Sequence, residues 1–165
     1  MKSFNLKDID FIFLDFDGVL TNNKVFVDEN GIESVSCNRS DGLAAEVLNK
    51  LGLKTIIFSS EKNKVVKKRA KKLNLDCYNS IKSKKSAILS FAKSNSVNLS
   101  NCMYVGNDLN DYHAMKICGL KICPADAHKK IINISDYVTK KNGGDGVLRE
   151  IVEKFLKIDI VSFLS

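Results

Sequence analysis

Residues 11–18 read Phe11-Ile12-Phe13-Leu14-Asp15-Phe16-Asp17-Gly18, an apolar run that ends in two acids and a glycine. The four apolar residues predict a short strand buried on both faces, as in a parallel sheet. The acids that follow form either an ordinary turn or a functional loop. Two carboxylates this close repel each other unless a cation lies beside them, and hard oxygen ligands suit Mg²⁺. The stretch therefore predicts a strand with a candidate Mg²⁺ site at its end.

Outward from this stretch, apolar runs alternate with amphipathic segments of helix length. Further buried strands are predicted at 54–58, 102–105 and 120–123, and helices at 41–51, 62–73, 83–94, 111–118 and 146–156. A hairpin is predicted over 24–36, where Asn30-Gly31 is a strong turn signal. Strands that alternate with helices predict an α/β fold, in which a central parallel sheet carries helices on both faces.

Length and composition limit the class of protein. The chain has 165 residues, of which 44% are hydrophobic and 27% charged, so we expect a single folded domain over 1–165 rather than a disordered chain. The sequence contains no apolar run long enough for a membrane helix, and the first ten residues lack the features of a signal peptide. The five cysteines show no C-x-x-C spacing, which favours reduced thiols and a cytoplasmic protein.

The net charge of +7 comes with a dense run of cations between positions 62 and 72. A solvated helix face, attraction of a small anionic substrate, and nucleic-acid binding are the three interpretations of this run. Aromatic residues are few and none lies among these cations, so we expect no nucleic-acid partner. The lack of an apolar run of membrane-helix length makes us expect no membrane partner either.

Polar residues also follow the later strands. Ser59-Ser60-Glu61 comes after the second buried strand, and Gly106-Asn107-Asp108 follows the strand at 102–105. Helix caps and glycine turns look alike in sequence and remain the alternative explanation. However, ligands of parallel sheets bind at the carboxyl ends of the strands, where these loops meet. Oxygen-rich loops, hydroxyl groups and the lysines at 82–85 together favour a Mg²⁺-dependent phosphate site.

The order of these motifs resembles the haloacid dehalogenase superfamily of phosphatases. The resemblance rests on Asp15-x-Asp17-Gly-Val-x-Thr, the hydroxyl after the second strand, the lysine and the Gly106 loop. It implies a Rossmann-like fold, and a chain of this length leaves no room for a cap domain. The hairpin, Ser40-Asp41-Gly42 and the glycine-rich tail at 143–150 are similar to the capless subgroup that dephosphorylates eight- and nine-carbon sugar acids.

The resemblance also implies roles for individual residues. Asp15 is expected to be the nucleophile that forms an aspartyl-phosphate, and Asp17 the general acid and base. Lys85 aligns with the lysine that neutralises the phosphate, with Lys84 as the weaker candidate. Ser59 is expected to donate a hydrogen bond to a phosphate oxygen.

The metal loop departs from the family pattern. The resemblance implies that Mg²⁺ is held by Asp15, by the backbone carbonyl of Asp17 and by a residue of the Gly106 loop. The family's first acid in this loop is replaced by Asn107, so either the amide oxygen of Asn107 or the carboxylate of Asp108 is expected to bind the metal. Loss of one negative charge is expected to weaken Mg²⁺ binding.

Substrate selection is expected to involve Ser60, Glu61, Asp41, Arg69 and Lys72. Glu61 and Lys72 resemble the pair found in phosphatases of nine-carbon, sialic-acid-type 9-phosphates, so a nonulosonate 9-phosphate is the predicted substrate. An eight-carbon 3-deoxy-D-manno-octulosonate 8-phosphate is the alternative. A non-catalytic assembly domain, like those fused to CMP-sialate synthetases, is the other alternative. The resemblance further implies a homotetramer in which a neighbouring subunit acts as the lid.

Overall fold

Eight strands form two sheets in the computed structural model, which describes residues 6–163. The strands are β1 (Phe11–Leu14), β2 (Thr21–Val27), β3 (Glu33–Cys37), β4 (Lys54–Phe58), β5 (Asp76–Tyr78), β6 (Cys102–Val105), β7 (Leu120–Cys123) and β8 (Tyr137–Val138). Six of them form a parallel sheet in the order β5-β4-β1-β6-β7-β8, with the first strand in the interior. The predicted parallel sheet is therefore confirmed.

Within residues 6–163, six α-helices lie between or after the strands. They are α1 (Ser40–Lys50), α2 (Lys64–Leu73), α3 (Lys84–Asn95), α4 (Tyr112–Met115), α5 (Lys129–Ile132) and α6 (Val147–Glu150). The first three agree with the predicted helices to within two residues at each end. The last predicted helix is divided, because α6 continues as a π-helical segment over Ile151–Phe155.

The core has two layers, one on each face of the sheet. Ile12 and Leu14 of β1 are fully buried in a cluster with apolar residues of α1, α2 and α6. Phe13 points to the opposite face and belongs to a cluster with residues of α3, α4 and α5. Successive side chains of a strand alternate between faces. The uninterrupted apolar run of β1 is therefore explained by helices packed on both sides.

The antiparallel pair of β2 and β3 stands apart from the main sheet, as the predicted hairpin. Its turn is held by Asp28, whose Oδ1 accepts the N–H groups of Asn30 at 3.0 Å and Ile32 at 2.8 Å. Within residues 6–163, this hairpin is the main excursion from the layered arrangement, and no cap domain is inserted.

The path of the chain through the parallel sheet changes direction beside β1. The chain proceeds from β1 to β4 and β5 on one side, and then returns to β6 on the other side. Ligands of open α/β sheets bind at the carboxyl ends of the strands at such a switch point. The loops that follow β1, β4 and β6 are thereby placed around one edge.

Within the described part of the chain, no helix has both the length and the apolar character needed to cross a membrane. All five cysteines are free. Burial raises the pKa of the Cys102 and Cys118 thiols to about 12. These two thiols are therefore protonated at neutral pH and behave as core residues.

Candidate active site

Asp15 lies directly beyond the end of β1 and is only 4% exposed. Its backbone N–H donates to the carbonyl of Val105 at 2.9 Å, and its Oδ1 accepts the N–H of Phe16 at 2.7 Å. Burial and the charge of Asp111 raise the pKa of Asp15 to about 8, while Lys84 opposes this shift. The carboxyl group is thus held firmly and needs positive charge beside it to be ionised at neutral pH.

Lys84 provides part of that positive charge. Its Nζ lies 2.6 Å from Oδ1 of Asp15 and 2.7 Å from Oδ1 of Asp111, and the residue is 3% exposed. Burial alone would lower the pKa of Lys84, but the two carboxylates raise it above its ordinary value. One cation is therefore shared between two buried acids.

The prediction that Lys85 occupies this position was wrong. Ser83 caps α3, its side chain accepting the N–H of Ser86, so that Lys84 is the first helical residue. Lys84 points into the fold, and the next residue is turned by about 100° around the helix axis. Lys85 is consequently exposed to solvent.

Asp111 organises the loop that follows β6. Its Oδ1 accepts the Tyr104 hydroxyl at 2.7 Å, and its Oδ2 accepts the N–H groups of Asn107 at 2.9 Å and Asp108 at 3.3 Å. Tyr104 was missed by the sequence analysis, although a tyrosine within a buried strand needs a partner for its hydroxyl. The carboxylate of Asp111 therefore links Lys84 of α3, Tyr104 of β6 and the loop after β6 through direct contacts.

Asp17 is half-buried and two residues beyond Asp15. Its Oδ1 accepts the Thr21 hydroxyl at 3.2 Å, and that hydroxyl also accepts the N–H of Gly18. Burial raises the pKa of Asp17, with the charge of Glu61 adding to the shift and the Thr21 hydroxyl opposing it. A carboxyl group that keeps its proton more readily is suited to act as a general acid.

Asn107 faces inward, whereas Asp108 faces solvent. The Oδ1 atom of Asn107 is buried and accepts no hydrogen bond from the described residues. The amide packs directly over Gly18, where a Cβ atom would collide with it. Asp108 is exposed, and its Oδ1 accepts the N–H of Leu109 at 2.7 Å. Of the two predicted loop ligands, Asn107 is the better placed.

The donor set around this edge fits a hard divalent cation. A buried, unpartnered oxygen such as Oδ1 of Asn107 requires an explanation, and a metal ligand supplies one. Asp15 and Asp111 share the single Lys84, so a divalent cation beside Asp15 would favour the ionised form of its carboxyl group. Among residues 6–163, no cluster of three or more His, Cys, Asp or Glu residues is arranged to hold a metal. Oδ1 of Asn107 belongs to an amide, which is not one of these four residue types.

The segment after β4 forms another part of the site. Ser59 is buried, and its Oγ accepts the N–H of Glu61 at 3.0 Å. Ser60 and Glu61 are exposed. Oε1 of Glu61 accepts the N–H groups of Lys62 at 2.6 Å and Asn63 at 2.9 Å, so part of this carboxylate is used locally.

These side chains enclose a cavity of about 200 Å³, here called the catalytic cavity. Its lining comprises Asp15, Asp17, Asn23, Ser59, Ser60, Glu61, Asn107, Asp108 and Asn110. A second cavity of about 240 Å³ lies between the hairpin and α2 and shares Asp17, Asn23 and Glu61 with the first. The site therefore has a small polar end and an adjoining space for a larger group.

Three predicted substrate-binding residues lie outside the catalytic cavity. Asp41 is buried, and its Oδ1 accepts the N–H of Arg149 at 3.0 Å, so it joins α1 to α6. Arg69 donates to the carbonyl of Asn38 at 2.7 Å. Lys72 is exposed in the last turn of α2, roughly 12 Å along the helix from Lys64. Within one chain, these residues do not meet the catalytic acids.

Comparison with protein families matches residues 43–151 to the haloacid dehalogenase-like hydrolases. Among curated proteins, 3-deoxy-D-manno-octulosonate 8-phosphate phosphatase KdsC of Escherichia coli K12 is 31% identical over 151 residues, covering 91% of this chain and 80% of the relative. The Haemophilus influenzae protein of the same name is 29% identical over 153 residues, covering 92% and 85%.

Solved structures agree with this comparison. A HAD family hydrolase from Streptomyces avermitilis superposes with a TM-score of 0.88 at 38% identity, covering 90% of this chain and 86% of that one. The 3-deoxy-D-manno-octulosonate 8-phosphate phosphatase from Moraxella catarrhalis gives a TM-score of 0.89 at 29% identity, covering 96% and 92%. That structure contains a magnesium ion, a phosphate ion and the sugar acid.

Proposed function

Because the chain belongs to the haloacid dehalogenase-like hydrolases, in the subgroup of the octulosonate 8-phosphate phosphatases, we propose that it hydrolyses 3-deoxy-D-manno-octulosonate 8-phosphate. The observation that carries the proposal is the buried pair of Asp15 and Lys84 beside the unpartnered oxygen of Asn107. This arrangement combines a fixed nucleophile, a fixed cation and a free metal donor. A degenerate assembly domain has no physical need to keep them, which argues against the non-catalytic alternative.

In the first step, Asp15 attacks the phosphorus atom of the substrate. Its Oδ1 is engaged by Lys84 and by the N–H of Phe16, so Oδ2 is the oxygen left for attack. An O–P bond forms to Asp15 as the bond to the sugar oxygen breaks. Asp17 gives its proton to the departing sugar oxygen, which leaves as an alcohol.

In the second step, Asp17 acts as a base. It takes a proton from a water molecule, which attacks phosphorus, breaks the bond to Asp15 and releases phosphate. The raised pKa of Asp17 suits both directions of proton transfer. The hydrogen bond from Thr21 holds the carboxyl group in place between the two steps.

Charge stabilisation accounts for most of phosphoryl-transfer catalysis. Lys84 neutralises charge at Asp15 and at the phosphoryl group, and the Ser59 hydroxyl is available to donate to a phosphate oxygen. When bound, Mg²⁺ would be held by Asp15, the carbonyl of Asp17 and Oδ1 of Asn107, and it would supply Lewis-acid stabilisation of the phosphate. The haloacid dehalogenase-like family to which the chain belongs uses this metal.

The substrate assignment differs from the one expected from sequence. The nine-carbon prediction depended on Glu61 and Lys72, and Lys72 lines neither the catalytic cavity nor the cavity beside it. The named relatives act on the eight-carbon ester, which is therefore our first choice. A nonulosonate 9-phosphate remains the second candidate, because the exposed carboxylate of Glu61 lines both cavities.

We further propose that the chain self-associates through its hairpin and that a neighbouring subunit covers the catalytic cavity, as in the expected homotetramer. The hairpin exposes Val25, Phe26, Val27 and Ile32, each more than half accessible. Apolar groups concentrated on one projecting element favour burial against another surface. Arg69 and Lys72 would act on substrate only if a neighbouring subunit brought them to the site.

The proposal is tested by phosphate release, with Mg²⁺, from octulosonate 8-phosphate, 2-keto-3-deoxynononate 9-phosphate and N-acetylneuraminate 9-phosphate. We expect the first ester to give the highest kcat/KM, and Asp15→Asn to abolish release. Asp76→Asn is the matched control, because Asp76 is exposed at the start of β5 and lines neither cavity of the site, and it should keep most of the activity. A preference for the nine-carbon esters would overturn the substrate assignment, and release unaffected by Asp15→Asn would overturn the mechanism.

A further inference from the structure

A separate cavity of about 670 Å³ lies beside the loop that joins β8 to α6, and we call it the tail cavity. Its walls come from this loop, from Asn38 and Ser40 at the start of α1, and from the C-terminal helical segment around Arg149 and Lys154. It shares no lining residue with the catalytic cavity. Its volume falls within the range of small-molecule sites in proteins.

Two of the three acids in its wall already have polar partners. Oε1 of Glu150 accepts the Tyr137 hydroxyl at 3.1 Å and the N–H of Lys140 at 2.8 Å, while its Oε2 accepts the N–H of Lys141 at 2.9 Å. Glu153 forms an ion pair with Arg149 at 2.7 Å. Arg149 therefore balances the charge of Glu153, whereas the partners of Glu150 are all neutral groups and leave its negative charge in place.

Lys140, Lys141 and Lys154 line the cavity, and their ammonium groups have no carboxylate partner among the described residues. Asp145 and Glu150 are the acids of the wall that form no ion pair among the described residues. Three unpaired lysines against these two acids leave an excess of one positive charge, which favours an anion. The Asn38 amide and the Ser40 hydroxyl add neutral groups that can hydrogen-bond to a polyhydroxylated molecule.

The loop that joins β8 to α6 contacts residues 18–21, which directly follow Asp17. The N–H of Gly144 donates to the carbonyl of Val19 at 3.0 Å. Gly143 packs so tightly against the backbone of Gly18 and Thr21 that a Cβ atom would collide with it. Thr21 in turn holds Asp17. A displacement of the loop would therefore be transmitted through packed backbone to the proposed general acid.

We propose that the tail cavity binds a small polyhydroxylated organic anion, with its phosphate or carboxylate group against Lys140, Lys141 and Lys154. Binding there alters the rate at the catalytic cavity through the contact between the 143–144 segment and residues 18–21. The binding part of this inference is independent of the proposed function, whereas the change in rate depends on it.

The binding is tested by calorimetric titration of the full chain with glucose 6-phosphate, gluconate and glucose. Without divalent cations, the catalytic cavity disfavours anions, because four acids and no lysine or arginine line it. We expect at least one of the two anions to bind about tenfold or more tightly than glucose, and the two arms separate phosphate from carboxylate recognition. The Lys140→Gln/Lys141→Gln variant should lose about tenfold in that affinity.

The matched control is Lys67→Gln/Lys68→Gln, which removes the same charge from exposed positions on α2 and should change the affinity less than twofold. Equal losses of affinity in both variants, or anions that bind no better than glucose, would overturn the proposed binding site.

The bound anion should also change kcat for p-nitrophenyl phosphate in the wild type but not in Lys140→Gln/Lys141→Gln. A purely competitive effect of equal size in the wild type and the variant would overturn the coupling between the two cavities. A wild type that does not hydrolyse this ester would also refute the coupling, and the titration alone would then decide whether the tail cavity binds an anion.

Discussion

The single ammonium group of Lys84 serves two buried carboxylates, at 2.6 and 2.7 Å. Lys84→Met would leave Asp15 and Asp111 facing each other without that cation. We expect phosphate release to fall by about 10²–10³-fold or more and the free energy of unfolding to drop by about 3–5 kcal/mol. Steady-state kinetics and urea denaturation measure the two effects.

Lys85→Met is the control for this prediction, because Lys85 is the neighbouring residue in the same helix but is exposed. It should change both quantities little. If Lys85→Met inactivated the enzyme and Lys84→Met did not, our assignment of the lysine would be wrong.

Asn107 is neutral where the family pattern has an acid, and its buried Oδ1 has no protein partner. Asn107→Asp would add a negative charge next to the proposed metal. We expect the affinity for Mg²⁺, measured by calorimetric titration without substrate, to increase by about tenfold. The same titration on Asp108→Asn should show little change. An unchanged or weaker affinity in Asn107→Asp would exclude Asn107 as a metal ligand.

The candidate site could be predicted in part from residues at strand ends. Asp15, Asp17, Ser59 and Asn107 were found because the carboxyl ends of parallel strands share one edge. The lysine was assigned one residue too late, since the face of a helix depends on its first residue and sequence locates that only approximately. Ser83 was a signal that could have corrected it, because serine is a preferred N-cap.

Among the elements, the junction of α1 and α6 depends on Asp41. Burial raises the pKa of Asp41 to about 6, although the N–H of Arg149 and the charge of Arg69 oppose this shift. The folded state therefore binds the proton more tightly than the unfolded state. The contribution of Asp41 to stability is greatest below the unfolded value of 3.8 and declines as the pH rises to about 6.

We expect this decline to amount to roughly 3 kcal/mol in total. Asp41→Asn cannot ionise, so its free energy of unfolding should fall less than that of the wild type as the pH rises from 4 to 7. Urea denaturation at a series of pH values measures the difference between the two proteins. Parallel pH profiles would show that Asp41 is not perturbed by burial.

The predicted strands and helices were correct where the pattern of apolar residues along the sequence follows which side chains are buried. β1, β4, β6 and β7 were found because apolar runs of this length fit a sheet covered on both faces. By contrast, no hydrophobic pattern in the sequence marks the point at which the C-terminal helix changes from α6 to a π-helical segment. Asp41 was misplaced in the substrate site because its partner Arg149 is 108 residues away, and such a contact depends on tertiary packing.

At the scale of the whole molecule, the exposed apolar hairpin predicts self-association. Phe26 is 64% exposed, and Phe26→Asp would place a charge in the proposed contact. We expect the molar mass measured by light scattering to fall from that of an oligomer toward that of one chain. Val161→Asp is the control, because Val161 is 73% exposed but lies in the C-terminal part of the chain. A wild type that is already monomeric would contradict the prediction.

The most direct test of the account is to trap the phosphate on Asp15. In Asp17→Asn, p-nitrophenyl phosphate can still phosphorylate Asp15, because nitrophenolate leaves without needing a proton. The second step is slowed, since the attacking water has lost its base. We predict a stoichiometric burst of nitrophenolate and, after acid quenching, a phosphorylated peptide that contains Asp15 in the mass spectrum. A phosphate on another residue, or undiminished phosphate release by Asp15→Asn, would contradict the account.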